Sequence, residues 1–225
     1  MLGIEANFGS LQINQHSIVK ALFIRETFYS VDNFAFDGGI TFGYQHYFGE
    51  SQKFGIGTSL YIGAGIPTDG KFAIGLDDYP IDLLFYQLNT SYTPIKTGFE
   101  VNFLWDFWES GEHTLGLIAG AMYRFTYLIA KDGEMIAQDK VDNLNTNMGN
   151  TKISNQMIHT FAPQIGLAYN YGNHQFSLKY RFGGIMTSSS STLSDDIVIE
   201  GDNFGKVKTQ IKASDYLSLG YSYRF

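Results

Sequence analysis

The sequence predicts an all-β fold, an eight-stranded antiparallel up-and-down transmembrane β-barrel with short turns at one end and four long loops at the other. Eight stretches alternate apolar and polar residues at period two, which is the pattern of a β-strand because successive side chains point to opposite faces. The chain is rich in aromatic residues (16%) and glycine (25 residues) and poor in charge (16%), which suits pleated strands and crowded barrel interiors. Short and long connections alternate along the chain, as in barrels that cross a membrane.

Composition narrows the class further. With 225 residues we expect a single domain over residues 1–225. The mean hydropathy is -0.10, and no run approaches the roughly 18 apolar residues of a membrane helix, which excludes a helical membrane protein. The net charge of -7 argues against a nucleic-acid binder. Cysteine is absent, and no phosphate-binding glycine motif or zinc-ligand spacing occurs, so we predict neither a cofactor nor a metal site.

The first three predicted strands are residues 2–13, 36–48 and 53–66. In the first, an apolar row lies opposite a small or polar row: Leu2, Ile4, Ala6 and Phe8 against Gly3, Glu5, Asn7 and Gly9. The second and third repeat this arrangement, with glycine-rich rows opposite the apolar ones. Because the strand pattern starts directly after Met1, without signal-peptide architecture, we expect a mature exported chain with an added or retained initiator methionine.

Strand four, residues 95–107, has the clearest alternation. Its apolar row is Ile95, Thr97, Phe99, Val101, Phe103, Trp105 and Phe107, and its other row is Lys96, Gly98, Glu100, Asn102, Leu104 and Asp106. The last four strands follow the same rule: residues 114–127, 161–171, 175–185 and 216–225. A soluble barrel would carry its charges outside, whereas here the charges lie opposite the ring-rich rows, so we expect the apolar rows to face lipid.

Three tight turns and four long connections join these strands. The turns are residues 49–52, 109–112 and 172–174. The first long connection, residues 15–33, has mixed periodicity and fits either a short helix or a strand extension. The others, residues 67–93, 129–157 and 187–210, are predicted as loops. Within the second, residues 78–86 predict a capped helical turn with Asp78 as the cap and Pro80 in its first turn.

Nearly all charged residues at strand positions lie on the polar rows, and they almost balance in sign. They are Glu5, Asp37, Lys96, Glu100, Asp106, Arg124, Lys179, Arg181 and Arg224. An eight-stranded barrel is just wide enough for side chains, and buried charges must be paired. The sequence therefore predicts a structural ion-pair network that fills the lumen, with a gated ion path as the alternative. Because strands four and five form a tight hairpin, we expect Glu100 to pair with Arg124.

Aromatic residues cluster near both ends of the apolar rows and predict two interfacial girdles. Toward the short turns these are Tyr44, Trp105, Phe107, Trp108, Tyr169, Tyr171, Tyr223 and Phe225; toward the long loops they are Phe36, Phe125, Tyr127 and Phe161. His159 lies at the outer end of strand six, where a lipid-modifying enzyme would place a catalytic group. The sequence beside it, His159-Thr-Phe, offers no nucleophilic serine, so we predict no catalytic residues and no enzyme.

The long loops carry most of the acidic excess. Residues 67–93 contain four acids against one lysine, and residues 187–210 contain four acids against two lysines. Acidic loops on a rigid scaffold could contact lipopolysaccharide through divalent cations, bind a basic protein partner or simply be solvated.

The final strand ends the chain on aromatic residues at period two, Tyr221, Tyr223 and Phe225. This ending resembles the terminal strand of bacterial outer-membrane barrels, and the resemblance implies outer-membrane lipid surroundings and recognition by the outer-membrane assembly machinery. The hairpins GYQHYFG (residues 43–49) with FGIG (54–57), NHQFSLK (173–179) and the ending YSYRF resemble the Helicobacter-type outer-membrane protein family. That resemblance implies surface adhesins and some pores.

The function predicted from the sequence is a non-enzymatic surface barrel of the bacterial outer membrane. It would present its loops or outer wall for adhesion, partner binding or envelope integrity. A small porin is the second hypothesis and an outer-leaflet lipid-modifying enzyme the third. The large first-loop insertion of the biggest adhesins in the resembling family is absent.

Overall fold

The computed structural model describes residues 1–20, 24–50, 52–75, 84–139, 145–183, 187–188, 193–199 and 202–225. All regular elements in these residues are β-strands. They are β1 (Leu2–Lys20), β2 (Ile24–Phe48), β3 (Phe54–Gly65), β4 (Thr68–Gly75), β5 (Leu84–Ser110), β6 (His113–Asp139), β7 (Asn145–Thr151), β8 (Gln156–Tyr171), β9 (His174–Arg181), β10 (Thr187–Ser188), β11 (Leu193–Ile199) and β12 (Asp202–Tyr223). The described residues contain no helix that could cross a membrane.

Eight of these strands close into an antiparallel ring in the order β1, β2, β3, β5, β6, β8, β9 and β12. The last strand completes the ring by pairing with the first, from Leu2 opposite Tyr223 to Val19 opposite Gly205. Gly111 and Gly172 have φ values of 61° and 53°, as the tight turns after β5 and β8 require. The predicted eight-stranded up-and-down barrel is thereby confirmed.

The segments predicted as long loops are largely paired strand, which corrects that part of the sequence interpretation. Residues 15–33 are the exception, because here the strand-extension alternative is confirmed: they extend the β1–β2 hairpin, with pairing that continues to Lys20 opposite Ile24. The other three contain β4, β7, β10 and β11 and the loop-side parts of β5, β6 and β12. Backbone groups need partners, and a closed ring already sets the register, so pairing continues beyond the membrane. Of the predicted helical turn at 78–86, residues 76–83 lie outside the described part and 84–86 belong to β5.

The polarity of the outward row inverts along β1, β5 and β12. On β1 the outward row near the short turns is apolar, and the inward row carries Glu5 and Asn7. Farther along, the outward row is polar as far as His16, and the inward row carries Leu11 and Ile13, which are 4% and 1% exposed.

The same inversion occurs elsewhere around the ring. On β5 the outward row changes from polar to apolar between Thr93 and Ile95, and on β12 the same change occurs between Lys212 and Leu217. Below this boundary the outward residues are large, apolar and exposed, which in a stable protein requires lipid around them. Above it the outward rows of β1, β5 and β12 are polar and apolar residues are buried inside, as in a protein surrounded by water.

The loop-side part of the barrel therefore has a hydrophobic core of its own. Ten buried residues form it: Leu11, Ile13, Leu88, Tyr92, Leu128, Ile153, Ile158, Ile197, Val207 and Ile211. Burial raises the pKa of the Tyr92 phenol to about 12, so this group adds no charge to the core. Above the membrane the barrel interior thus contains this apolar cluster together with buried polar residues, among them Gln15, Gln156 and Thr209.

Replacing Leu128 by alanine tests this second core. Leu128 is fully buried, so Leu128→Ala is expected to lower the free energy of unfolding in detergent micelles by about 2–5 kcal/mol, because a cavity remains. The matched control is Leu167→Ala on the outward face of β8, where detergent fills the space and the loss should be less than half as large. Urea unfolding followed by tryptophan fluorescence measures both. Equal losses would contradict a packed core at the loop end.

Candidate functional site in the barrel lumen

Seven charged side chains from five strands meet inside the membrane-spanning part of the barrel. They are Glu5 (β1), Asp37 (β2), Lys96 and Glu100 (β5), Arg124 (β6), and Lys179 and Arg181 (β9). Period-two alternation puts each of them on an inward row, and glycine and serine on neighbouring rows leave room for the long cations. We call these seven residues the lumen charge cluster.

Arg181 lies at the centre of the cluster and is fully buried. Its Nη1 and Nη2 donate to the two carboxylate oxygens of Glu5 at 2.8 and 2.9 Å. Nη2 also donates to Glu100 Oε2 at 2.8 Å, and Nε donates to Gln164 Oε1 at 2.7 Å. A guanidinium with two carboxylates and a side-chain amide is the bidentate arrangement that makes a buried charge tolerable.

Lys179 and Glu100 complete the lower part of the cluster. The Lys179 ammonium lies 2.9 Å from Glu5 Oε2 and 2.7 Å from Glu100 Oε1, so it bridges both carboxylates. Ser59 donates to Glu100 Oε1 at 3.0 Å, and Gln164 donates to Glu100 Oε2 at 3.1 Å. Strands from both sides of the barrel are thereby joined across the lumen.

Asp37 organises the upper part of the cluster. Its carboxylate accepts hydrogen bonds from Lys96, from the Tyr61 hydroxyl at 2.6 Å and from Asn7 at 2.8 Å. Arg124 Nη1 lies 3.8 Å from Asp37 Oδ1, and the Arg124 guanidinium stacks over the Tyr61 ring at 3.9 Å from its centroid. Tyr61 therefore contacts both signs of charge, through its hydroxyl and through its ring face.

The expected Glu100–Arg124 pair is wrong. In the β5–β6 hairpin, Arg124 lies opposite Gly98, and Glu100 lies opposite Met122, so the two charges differ by one inward position. Arg124 instead donates to Glu5 Oε1 at 3.1 Å across the lumen. A hairpin alone does not decide the partner, because an eight-stranded lumen is narrow enough for a long side chain to reach the opposite wall.

Asp106 and Arg224 were expected in the same network, but the structure places them toward the short turns. Arg224 Nη2 donates to the backbone oxygen of Gly172 at 2.9 Å. Asp106 is three inward positions from Glu100, and Leu104 lies between them in a small apolar cluster with Ile118 and Ala168. Among the described residues, neither Asp106 nor Arg224 forms an ion pair within 4 Å.

Two small cavities adjoin the lumen charge cluster. The turn-side cavity has a volume of about 40 Å³ and is lined by Glu5, Glu100, Lys179 and both neutral polar and apolar residues. The loop-side cavity has a volume of about 30 Å³ and is lined by Asp37, Lys96, Arg124 and further polar residues. Each is large enough for a few water molecules only. Between them the charged side chains meet across the lumen.

The outward face carries the predicted aromatic rings. Tyr44, Trp105, Phe107, Trp108, Tyr171, Tyr223 and Phe225 are exposed toward the short turns, and Phe161 is exposed toward the loops. Hydrogen bonds that the sequence did not indicate join three histidines to tyrosine hydroxyls on this face. The pairs are His113 with Tyr169 at 2.7 Å, His159 with Tyr123 at 2.7 Å and His174 with Tyr221 at 2.8 Å.

His159 has one further neighbour that the sequence did not reveal. The short strand β10 pairs with β8 so that the Ser188 backbone lies opposite that of His159. These residues are 29 positions apart in the chain, and β10 has only two residues, so no periodicity could have indicated the pairing.

Even strand number, short turns at one end, an outward apolar band and exposed rings beside it are together the architecture of bacterial outer-membrane barrels. The chain is therefore an outer-membrane β-barrel of that type, located in the bacterial outer membrane.

Comparison with known proteins adds only distant similarities. No protein-family model matches the chain, and no curated protein is significantly similar to it. The outer membrane protease OmpT from Escherichia coli aligns over 100% of this chain and 96% of its own, with a TM-score of 0.41 and 9% identity. Ail, the attachment invasion locus protein of Yersinia pestis, in complex with the heparin analogue sucrose octasulfate, aligns over 100% and 99%, with a TM-score of 0.28 and 11% identity. A Pseudomonas aeruginosa FadL homologue aligns over 100% and 90%, with a TM-score of 0.28 and 8% identity. These scores are too low to transfer any function to this chain.

Truncating Arg181 tests the centre of the lumen charge cluster. Arg181→Ala leaves Glu5 and Glu100 buried with fewer partners, so the free energy of unfolding in micelles should fall by about 3–5 kcal/mol. Arg224→Ala is the control and should cost less than about 1 kcal/mol, because Arg224 is only partly buried and bonded to a backbone oxygen. The measurement is urea unfolding, with heat-modifiable gel migration as the readout of a closed barrel. Similar losses in both variants would show that the cluster is not a stabilising centre.

Proposed function

We propose that this protein is a non-enzymatic surface barrel that presents its outer wall and long loops for adhesion, partner binding or envelope integrity. The observation that carries this proposal is the filled lumen. The lumen charge cluster spans the interior within the membrane, and above the membrane the interior is occupied by the apolar cluster and buried polar residues. A barrel whose described interior is packed at two levels offers its outside, rather than its inside, for function.

A small porin is the alternative that the filled lumen disfavours. An open path would have to separate Arg181 from two carboxylates at once, and then part the buried residues above. Breaking a buried pair typically costs about 3–5 kcal/mol, so spontaneous opening would be infrequent.

We propose that the outer wall binds lipopolysaccharide through lysines of β12. Lys206, Lys208 and Lys212 form a row of exposed lysines on the outward face of β12. Lys212 is five residues beyond the lipid-facing Leu217, which places it about 10 Å farther along the barrel axis than Leu217 at the usual rise and tilt of barrel strands, on the loop side of the boundary. Phosphates on outer-leaflet sugars are attracted to such a row. Lys206 Nζ lies 4.0 Å from Asp196 Oδ1, and this carboxylate partly neutralises it. We therefore propose Lys208 and Lys212 as the main contacts with phosphate.

Contact through lysines differs from the contact expected from the sequence, in which acidic loops would bind lipopolysaccharide through divalent cations. Of those acids, Asp195 faces inward and accepts hydrogen bonds from the backbone and side chain of Ser154. It is therefore a structural residue at the loop end. Asp77, Asp78, Asp82 and Glu200 lie outside the described residues.

Catalysis on lipid is the remaining alternative. His159 faces outward near the boundary, with the Tyr123 hydroxyl at 2.7 Å from Nδ1 and the Ser188 backbone opposite. A triad also needs a carboxylate that orients the histidine, and this position is filled by a phenol. We therefore propose a structural role for the His159–Tyr123 pair at the membrane surface.

We also propose that the outer-membrane assembly machinery recognises the terminal strand through Tyr221, Tyr223 and Phe225. Phe225 is 90% exposed, and β12 is the strand that closes the barrel. Membership of the Helicobacter-type outer-membrane protein family is proposed on the hairpins at residues 43–57 and 173–179 and on this ending.

Planar-bilayer recording tests the filled lumen. Purified protein that shows heat-modifiable migration is expected to insert without steady, large single-channel steps, because the cluster and the core block the path. Arg181→Ala should show more frequent brief openings than the wild type, since the central cation is gone. Steady wild-type steps would overturn the surface-barrel proposal in favour of a porin.

Binding of fluorescent lipopolysaccharide tests the lysine row. The double variant Lys208→Gln/Lys212→Gln is expected to bind about tenfold or more weakly at low salt, because each basic residue near an anionic surface contributes roughly 1 kcal/mol. The control Lys131→Gln/Lys152→Gln removes the same charge from exposed sites elsewhere and should bind like the wild type. Lipid A recovered afterwards should be unchanged in mass. Equal binding by both variants would contradict the proposal that the lysine row binds lipopolysaccharide. A change in the mass of lipid A would favour the enzyme hypothesis.

A further inference from the structure

The lumen charge cluster does not balance its own charge. It contains four cations, Lys96, Arg124, Lys179 and Arg181, and three carboxylates, Glu5, Asp37 and Glu100, which leaves one positive charge in excess. The five strands that bring these groups together place them inside a wall surrounded by lipid. An uncompensated charge in such surroundings is costly, so a counter-charge is expected nearby.

Arg124 is the cation with unused donors. It is 4% exposed, and its Nη2 donates to Glu5, but neither Nε nor Nη1 has a hydrogen-bond acceptor. Nη1 lies 3.8 Å from Asp37 Oδ1, which is beyond hydrogen-bonding distance. Arg181, by contrast, uses all three of its nitrogens.

These unused donors belong to a residue that lines the loop-side cavity of about 30 Å³. Tyr216 also lines it, and its hydroxyl donates only to the thioether of Met122 at 3.1 Å, which is a weak acceptor. Lys96, Asn7, Thr126 and Thr160 are further polar residues of the lining. Asp37 is the one carboxylate there, and it already accepts from Lys96, Tyr61 and Asn7.

We propose that the loop-side cavity is a binding site for one small monovalent anion of halide size, held by Arg124 with Lys96 and the Tyr216 hydroxyl beside it. Such an anion neutralises the excess charge and accepts the hydrogen bonds that Arg124 does not make. The cavity volume admits a halide. A water molecule would satisfy the donors and leave the excess charge in place.

Full-length protein in detergent, compared in bromide and in sulfate at equal ionic strength, tests the site. The midpoint of heat-modifiable migration should rise saturably with bromide, by about 3–6 °C for a ligand well above its Kd. Lys96→Met makes the cluster neutral and should abolish the bromide response while the barrel still folds. Arg124→Gln should do the same, and the control Arg224→Gln, outside the cluster, should keep the full response.

Crystals soaked in bromide give the direct readout. An anomalous peak in contact with Arg124 in the wild type, absent in Lys96→Met, supports the site. A wild-type midpoint that does not respond to bromide overturns the proposal, whether or not a peak is seen, because a peak alone would mean an adventitious ion only. A response retained in both Lys96→Met and Arg124→Gln also overturns it. A midpoint that depends on pH and not on bromide would mean that the cluster loses its excess charge by releasing a proton instead.

Discussion

The structure depends on the contact of Arg181 with Glu5 and Glu100. These three residues come from β9, β1 and β5, so a single guanidinium joins three strands that are not neighbours in the ring. The contact is buried where lipid surrounds the wall, and there each charged group needs its partners in place. The other members of the lumen charge cluster follow from it: Lys179 bridges the same carboxylates, and Arg124 reaches Glu5 from the opposite side. An interior held together in this way is a structural filling, which directs attention to the outer wall for function.

The second constraint is the change of surroundings along each strand. The alternation of side chains continues along β1 and β5, whereas on β12 the outward row passes from even to odd positions at the bulge between Lys212 and Leu217. On all three strands the outward residues are apolar near the turns and polar near the loops. These three strands therefore face two solvents, lipid near the turns and water near the loops. The inversion places Lys208 and Lys212 on the outside just where anionic headgroups would lie, and it places Leu128 and Ile158 in a dry core. The proposed outer binding surface and the closed interior are two results of the same pattern.

Prediction from the sequence was accurate where the evidence was local. The strand ring, its tight turns and the inward position of all seven members of the lumen charge cluster could be deduced from period two and from glycine in the turns. The Glu100–Arg124 pair was wrong because cross-strand register shifts by one inward position, and because the partner of a long cation in a narrow lumen can lie on any strand. The loop predictions failed for a related reason: residues 129–157 and 187–210 have strand pairings that depend on the ring below them, which their own composition does not express.

The sequence by itself determined the fold class, which row of each strand carries the charges, and the membrane in which the chain resides. These properties depend on alternation and composition, and a period of two has only one consistent meaning in a closed barrel. Only the tertiary structure decided which charges meet, that one positive charge remains in excess beside a cavity, and that the barrel continues above the membrane with its polarity inverted. Those properties depend on the stagger between strands and on distances across the lumen, which are set when the ring closes on β1 and β12.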